Sequence, residues 1–440
     1  MTLRPKFSTA AAAALVGVMV ILAGTAELLG RTAEPGGRTV ITVRLWDEQV
    51  AAAYRDSVDA FTRLRPDIDV RINLVSYASY FDTLRTDVAG GGADDIFWIN
   101  NTHVAEYADN GRLMAITPSG DWEPSVVGQF TRGGTLWGIP QLTDAGIALY
   151  YNADLLQSAG ITPTELGQAR WDPDLAADTL RPLLARLTLD DAGRLAGTAG
   201  FDPRRIRQWG YNAANDLQGI TLNYIGSAGG VFSEGDRFAF DNPAAVTALG
   251  YVVDLINHEH VAPPASDTND NGDFSRNQFL AGRMAVFQSG TYNLAQIAEQ
   301  ARFRWGVTML PIGPTGRVSV TNGIVAAGNA ATRHPEATHA VLDWLGSAAG
   351  AEYLARRGAA IPAVRTAQPA YFDYWAQRGV DVSPFFTVLE GPQVEAPGGT
   401  GFAAGFLAIK PYFDEMFLGR RPVADTLAAA QQAANAAAQR

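Results

Sequence analysis

The chain has 440 residues, 47% of them hydrophobic and 18% charged, with a formal net charge of −11 and a pI near 5.0. Its only lysines are Lys6 and Lys410, and no basic stripe interrupts the acidic balance, which argues against a nucleic-acid partner. With no cysteine, disulfides, thiolate catalysis, zinc–cysteine sites and a lipid-modified N-terminal cysteine are excluded, and 440 residues exceed one small core, so two domains are expected.

Arg4 and Lys6 precede an uncharged apolar run from Phe7 to Ala26. That is the order of an export signal, and Gly24-Thr25-Ala26 offers a small-x-small cleavage site. The mild hydrophobicity of the run favours a cleaved signal. A retained anchor is the alternative, since about 20 apolar residues can span a bilayer. Either reading places the folded body outside the cytoplasm. Residues 31–38 carry Pro35-Gly36-Gly37 and read as a linker, so residues 1–38 are set apart and the body begins at Thr39.

Thr39 to Trp46 is β-branched and alternating, which predicts a strand. Val50 to Arg65 places Tyr54, Val58, Phe61 and Leu64 at helical spacing, and Pro66-Asp67 ends it. Ile68 to Leu74 predicts a second strand. Tyr77 to Val88 predicts a second helix, closed by Gly90-Gly91-Gly92, and Asp95 to Ile99 a third strand. This alternation predicts a doubly wound α/β layer, in which ligands bind at the carboxyl ends of the strands. Those ends carry Trp46-Asp47-Glu48, Ser76-Tyr77 and Trp98 with Asn100-Asn101. Strand composition returns at 138–152, 305–311 and 318–327. Helices are predicted at 334–345, 351–357 and 423–439. Between them, an amphipathic lead-in turns at Gly282, and the apolar run to Gln288 opens onto Ser289-Gly290-Thr291-Tyr292.

Several patterns fall short of a site. Asp267-Thr-Asn-Asp-Asn-Gly-Asp273 begins like a calcium loop, but position twelve is Gln278 rather than a bidentate glutamate. Tyr150-Tyr151 would point to opposite faces of a strand. His258-Glu259-His260 lacks the spacing of a zinc helix, Gly399-Thr-Gly401 follows Pro397 rather than a strand, and neither a Gly-x-Ser-x-Gly elbow nor a Walker A sequence is present.

Eight pieces stand in a telling order: Ile41-Thr-Val-Arg-Leu-Trp46, Phe61 to Val70, Tyr80-Phe81-Asp82-Thr83-Leu84, Asp95-Ile-Phe-Trp98, Ala105 to Leu113, Gly138-Ile-Pro140, Leu149 to Gly160, and Phe279 to Tyr292 with Leu310 to Gly316 beyond. Together they resemble the maltose-binding-protein-like, family 1 extracellular solute-binding proteins of bacterial ABC importers, over roughly residues 39–435. The resemblance implies an α/β, two-lobed periplasmic-binding-protein fold of type II. Crossing strands would lie near Asp144-Ala145, Gln288–Gly290 and Thr321–Gly323. Lobe one would be 39–143 plus 291–322, and lobe two 146–288 plus 324–440. It also implies a monomer without cofactor or metal that binds a carbohydrate between the lobes and passes it to membrane permease subunits.

A sugar presents apolar C–H faces to aromatic rings, and hydroxyls to carboxylates and amides. Trp46, Trp98, Trp171 and Tyr292 are therefore the stacking candidates, with Tyr80 beside them. Asp47, Glu48, Asn100, Asn101, Asp144 and Asn322 are the polar candidates, and Gly323 lies at a crossing. By position, Trp98 with Asn100-Asn101 is similar to the family's tryptophan-plus-polar loop and Asp144 to its hinge carboxylate. Tyr292 is similar to the aromatic after Gly-x. The chain departs from the family at Gly92-Ala-Asp-Asp95, where Ala-Pro-Asp is usual, and at Tyr80-Phe81, where Tyr-Trp is frequent. Two alternatives stand beside a sugar receptor: a receptor for glycerol phosphate or a related phosphodiester, and a glycoside-active enzyme using Glu48 and Asp144.

Overall fold

A computed structural model describes residues 37–439, so the expected signal or anchor at 7–26 lies outside the described residues. The first predicted elements form in order: β1 (Thr39–Leu45), α1 (Glu48–Leu64), β2 (Ile68–Leu74), α2 (Tyr77–Gly90), β3 (Ile96–Asn100) and α3 (Asn101–Asp109). Alternation buries Ile41, Val43 and Leu45 on one face of β1. Asp47 caps α1 by accepting from the Val50 amide at 2.9 Å, and Gly91 ends α2 with a left-handed φ of +71°. Strand β1 lies in parallel register with β2 on one side and β3 on the other.

β4 (Ile139–Asp144) and β5 (Ala148–Asn152) divide what reads in sequence as one strand passage. β4 belongs to the first sheet. β5 is the middle of a second sheet, between β6 (Val286–Ser289) and β7 (Trp305–Thr308), both antiparallel to it. The ten-residue strand β8 (Ser319–Gly328) joins the two halves. It begins beside Gln393–Glu395 and ends between β3 and β4. The chain leaves the first sheet at 145–147, and β8 runs from Val320, packed in the second-lobe core, to Ile324–Gly328 beside β3.

The third expected crossing is corrected. Ser289 pairs with Ala148 of β5, and the Tyr150 hydroxyl donates to the Gly290 carbonyl at 2.8 Å, so residues 288–290 are held in the second sheet. The chain then stays there, because β7 pairs with the same β5. Residues 291–318 thus belong with the second sheet and not with lobe one. Conversely, 324–328 pair with β3. Val341, Leu342, Leu345 and Leu354 pack in one core with Ile41, Val43 and Phe61, which returns this stretch to lobe one rather than lobe two. The third passage comes after Ala367, the last of these core residues. Tyr371, Trp375 and Phe385 already pack with Tyr150 and Phe287. The closing helices α4 (Phe402–Phe417) and α5 (Val423–Ala438) cover the core of the second lobe.

Candidate functional site

The carboxyl ends of β1, β3 and β4, the crossing in β8, and loops of the second lobe surround one cavity of about 630 Å3. Trp46 follows β1 and is half-buried, its ring edge-on to Trp98 (5.0 Å between centroids), Tyr80 (4.8 Å) and Tyr77 (5.5 Å). Asp47, one residue on, caps α1 and lines the same wall. Asp144 ends β4, in register with Asn322 on β8, and both line the cavity. Tyr292 follows β6, lines the cavity and is 44% exposed, its ring lying over Gly290.

Of the predicted residues, Trp46, Asp47, Trp98, Asn100, Asp144, Tyr292 and Asn322 are brought together around this space. Trp98 is fully buried and donates from Nε1 to the Tyr54 hydroxyl at 3.2 Å, so it backs Trp46 rather than offering a free face. Tyr80 is buried behind it, donating to the Arg44 and Trp98 carbonyls. Glu48 is exposed and outside the wall. Asn101 turns its amide to the Ala396 carbonyl and lines a separate, smaller cavity. Gly323 is walled off by Val126, whose side chain would lie 2.8 Å from an added Cβ. Trp171 is the clearest displacement. It is 1% exposed, packed on Tyr224 and Tyr251, and bonded through Nε1 to Ser227 in the second-lobe core.

Sequence reasoning passed over half of the wall. The run Asn215-Asp216-Leu217-Gln218 opens a π-helical turn (Leu217–Thr221), and Asp216 caps it by accepting from the Gly219 amide at 2.8 Å. An acid two residues before a glutamine and three before a glycine was the available signal. The calcium-like loop contributes Asn271, Gly272 and Asp273 to the cavity. Its carboxylates are engaged, Asp270 with Lys410 at 3.0 Å and Asp273 with Arg276 at 2.9 Å. His103, Thr291, Asn293, Phe402 and Phe406 are among the other missed polar and aromatic lining residues.

The cavity is acidic. Asp47, Asp144, Asp216 and Asp273 line it, and Arg276 is the only guanidinium among the lining residues. Burial raises the carboxyl of Asp144 to about 7, helped by the nearby charge of Asp47. Burial also raises Asp47 and Asp216, against the backbone N–H bonds that each accepts. The Tyr292 hydroxyl is pushed up by burial and by the neighbouring Asp216. Such a wall accepts hydrogens from hydroxyl or ammonium groups and offers ring faces to C–H surfaces.

The sequence pattern described as bacterial extracellular solute-binding protein matches residues 46–352. The maltodextrin-binding protein MdxE of Bacillus subtilis is 25% identical over 64% of this chain, and the lactose-binding protein of Rhizobium radiobacter 26% identical over 65%. The alignments span 63% and 64% of those proteins' own lengths. In structure, M. tuberculosis UspC is similar with a TM-score of 0.74 and 68% identity, over 90% of this chain and 100% of that one. The Listeria monocytogenes protein Lmo0181, solved with cycloalternan, shares the fold at a TM-score of 0.77 with 19% identity, over 91% of this chain and 98% of that one. A family pattern over most of the body and a two-lobed fold with a cavity between its sheets give one conclusion: the chain belongs to the bacterial extracellular solute-binding proteins.

Proposed function

We propose that this protein binds a carbohydrate in the 630 Å3 cavity and presents it to the permease of an ABC importer, as a monomer and without turnover. One observation carries the reading: aromatic faces and carboxylates from both lobes and from a crossing strand meet in a single space. Trp46 and Tyr292 suit the C–H faces of a pyranose. Asp47, Asp144, Asp216, Asn100 and Asn322 suit its hydroxyls. Because the wall joins both lobes, ligand contacts made only when they approach would shift an open–closed equilibrium toward closure. The closed form would be what a permease distinguishes.

The acidic lining disfavours the phosphodiester alternative, since an anion would face four carboxylates and one guanidinium. The enzyme alternative loses its proposed pair, because Glu48 stands outside the wall that holds Asp144. Neutral and amino sugars are therefore the first probes. Titration calorimetry on the full chain, with the emission of its nine tryptophans followed in parallel, should give saturable binding and a spectral change. The sugar should be recovered intact. Hydrolysis of the added sugar would remove the receptor reading. Absence of binding and of any rise in melting temperature across mono- and disaccharides would remove the carbohydrate reading.

A further inference from the structure

Two polar side chains of the second lobe are buried behind the cavity wall without lining it. Gln288 lies on β6 and is 1% exposed, and Asn223 lies just after the π-helical turn and is 3% exposed. Within that turn the Thr221 amide donates to the Asp216 carbonyl at 2.8 Å and the Leu222 amide to the Leu217 carbonyl, each reaching one residue further back than in an α-helix. The Gln218 carbonyl, which an α-helix would give to the Leu222 amide, takes Nδ2–H of Asn223 at 2.6 Å. The Gly219 carbonyl takes Nε2–H of Gln288 at 2.6 Å. Side-chain amides from two directions thus hold the carbonyls of the wide turn.

Each amide is itself held. Oε1 of Gln288 accepts from the Tyr211 hydroxyl, which accepts in turn from the Tyr224 hydroxyl at 3.1 Å. The Asn212 side chain clamps the Gln288 backbone, accepting from its N–H at 2.7 Å and donating to its carbonyl at 3.0 Å. Oδ1 of Asn223 accepts from the Val320 amide of β8 at 3.0 Å. With donor and acceptor both engaged, neither amide can rotate without leaving buried groups unpaired. The turn is therefore fixed to β6 on one side and to the crossing strand on the other. Asp216 caps it, and Asp216, Leu217 and Gln218 line the cavity. Returning the turn to α-helical register would shift it by one residue, about 100° around the axis, and would swing these residues from their places in the wall.

Resting on the carbohydrate reading above, we propose that Gln288 and Asn223 are positioning residues: they hold residues 217–221 in π-helical register and so aim the Asp216 carboxylate into the cavity, without touching the ligand themselves.

The test uses the full chain and measures affinity for glucose, galactose, mannose and glucosamine by calorimetry. The variants are Gln288→Met, Asn223→Asp and Asp216→Ala, with Asp216→Ala also combined with each of the other two. Gln288→Met keeps length and bulk and loses both side-chain bonds. Asn223→Asp keeps the acceptor for Val320 and loses the donor to Gln218. For the sugar that binds, each should weaken binding roughly three- to tenfold, and by less than about twofold once Asp216 is already alanine. Hydrogen exchange of the sugar-free chain should quicken over residues 216–223 in both variants and stay at the wild-type level in β1 to β3. If Gln288→Met does not fold, Tyr211→Phe, which frees only Oε1 of Gln288, takes its place. Equal losses of affinity with and without the Asp216 side chain, or unchanged affinity in variants that fold, overturn the positioning proposal while leaving sugar binding standing. Absence of binding by every sugar in the wild type removes the carbohydrate reading. The exchange data then decide alone: quickening confined to 216–223 supports the hold on the turn, and wild-type exchange there overturns it.

Discussion

Asp144 gives the sharpest electrostatic prediction. In the unfolded chain its carboxyl titrates near ~4, and in the folded protein at about 7. Between those values the folded state holds a proton that the unfolded state has released. Stability therefore falls as pH rises from ~4 to about 7, and the full penalty is present above 7. At ~1.4 kcal/mol per pH unit the ceiling is about 4 kcal/mol, reduced in practice because the cavity admits water. Asp144→Asn removes the ionisation and keeps the shape. In urea unfolding without sugar, the wild type should lose about 1–3 kcal/mol between pH 5 and 8 beyond what the variant loses. The variant should be the more stable protein at pH 8. Sugar binding should show the opposite sense: the ionised carboxylate is the better acceptor, so wild-type affinity should rise through pH 7 and that of Asp144→Asn should not. Parallel stability curves for the two proteins from pH 5 to 8 would refute the claim that Asp144 is buried against its own charge.

Three further outcomes follow from the placement of the aromatics and the acid caps. Tyr292→Ala, at an exposed cavity face, should lower sugar affinity at least tenfold in calorimetry while moving the melting temperature by no more than a few degrees. Trp171→Phe should do the reverse, costing about 1–3 kcal/mol in urea unfolding through the lost Ser227 bond and core volume, with unchanged sugar affinity. Asp216→Ala should cost both, about 1 kcal/mol for the cap in unfolding and a several-fold loss in binding.

Local patterns of the first lobe were legible because each is written within one element. β-Branched alternation gave β1 and β2, helical spacing gave α1, and the strand ends placed Trp46-Asp47 and Trp98 to Asn100 at the cavity. The lobe boundaries failed where the answer is non-local. Trp305–Thr308 looks like a strand in either lobe, and only its pairing with Ala148–Asn152, more than 150 residues earlier in the chain, assigns it. Ser289-Gly290 has the composition of a hinge, but the Tyr150 hydroxyl from a neighbouring strand pins it. Tryptophans posed the same difficulty. Trp46 and Trp171 are chemically identical, and what separates them is that Tyr224 and Tyr251 close over one. His103 and Phe406 carried no signal at all, since their placement at the cavity depends on the rings beneath them, Phe81 and Phe402.

The acid groups of the cavity also explain why its chemistry resists reading from sequence. Asp47 and Asp216 are both helix caps, each accepting backbone N–H bonds at a positive helix end. Both features normally lower a carboxyl pKa, yet both groups are raised, because burial outweighs the bonds. A cap residue in a solvated loop would show the opposite sign with the same sequence. The cavity thus holds carboxylates that are fixed in direction by their helices. A ligand hydroxyl that reaches them gains a charge-assisted bond without reorganising the wall. This is the physical ground for expecting binding to depend on hydroxyl geometry at the Asp144 end. It also ties stability to function at the caps, where one side chain serves the helix and the ligand together.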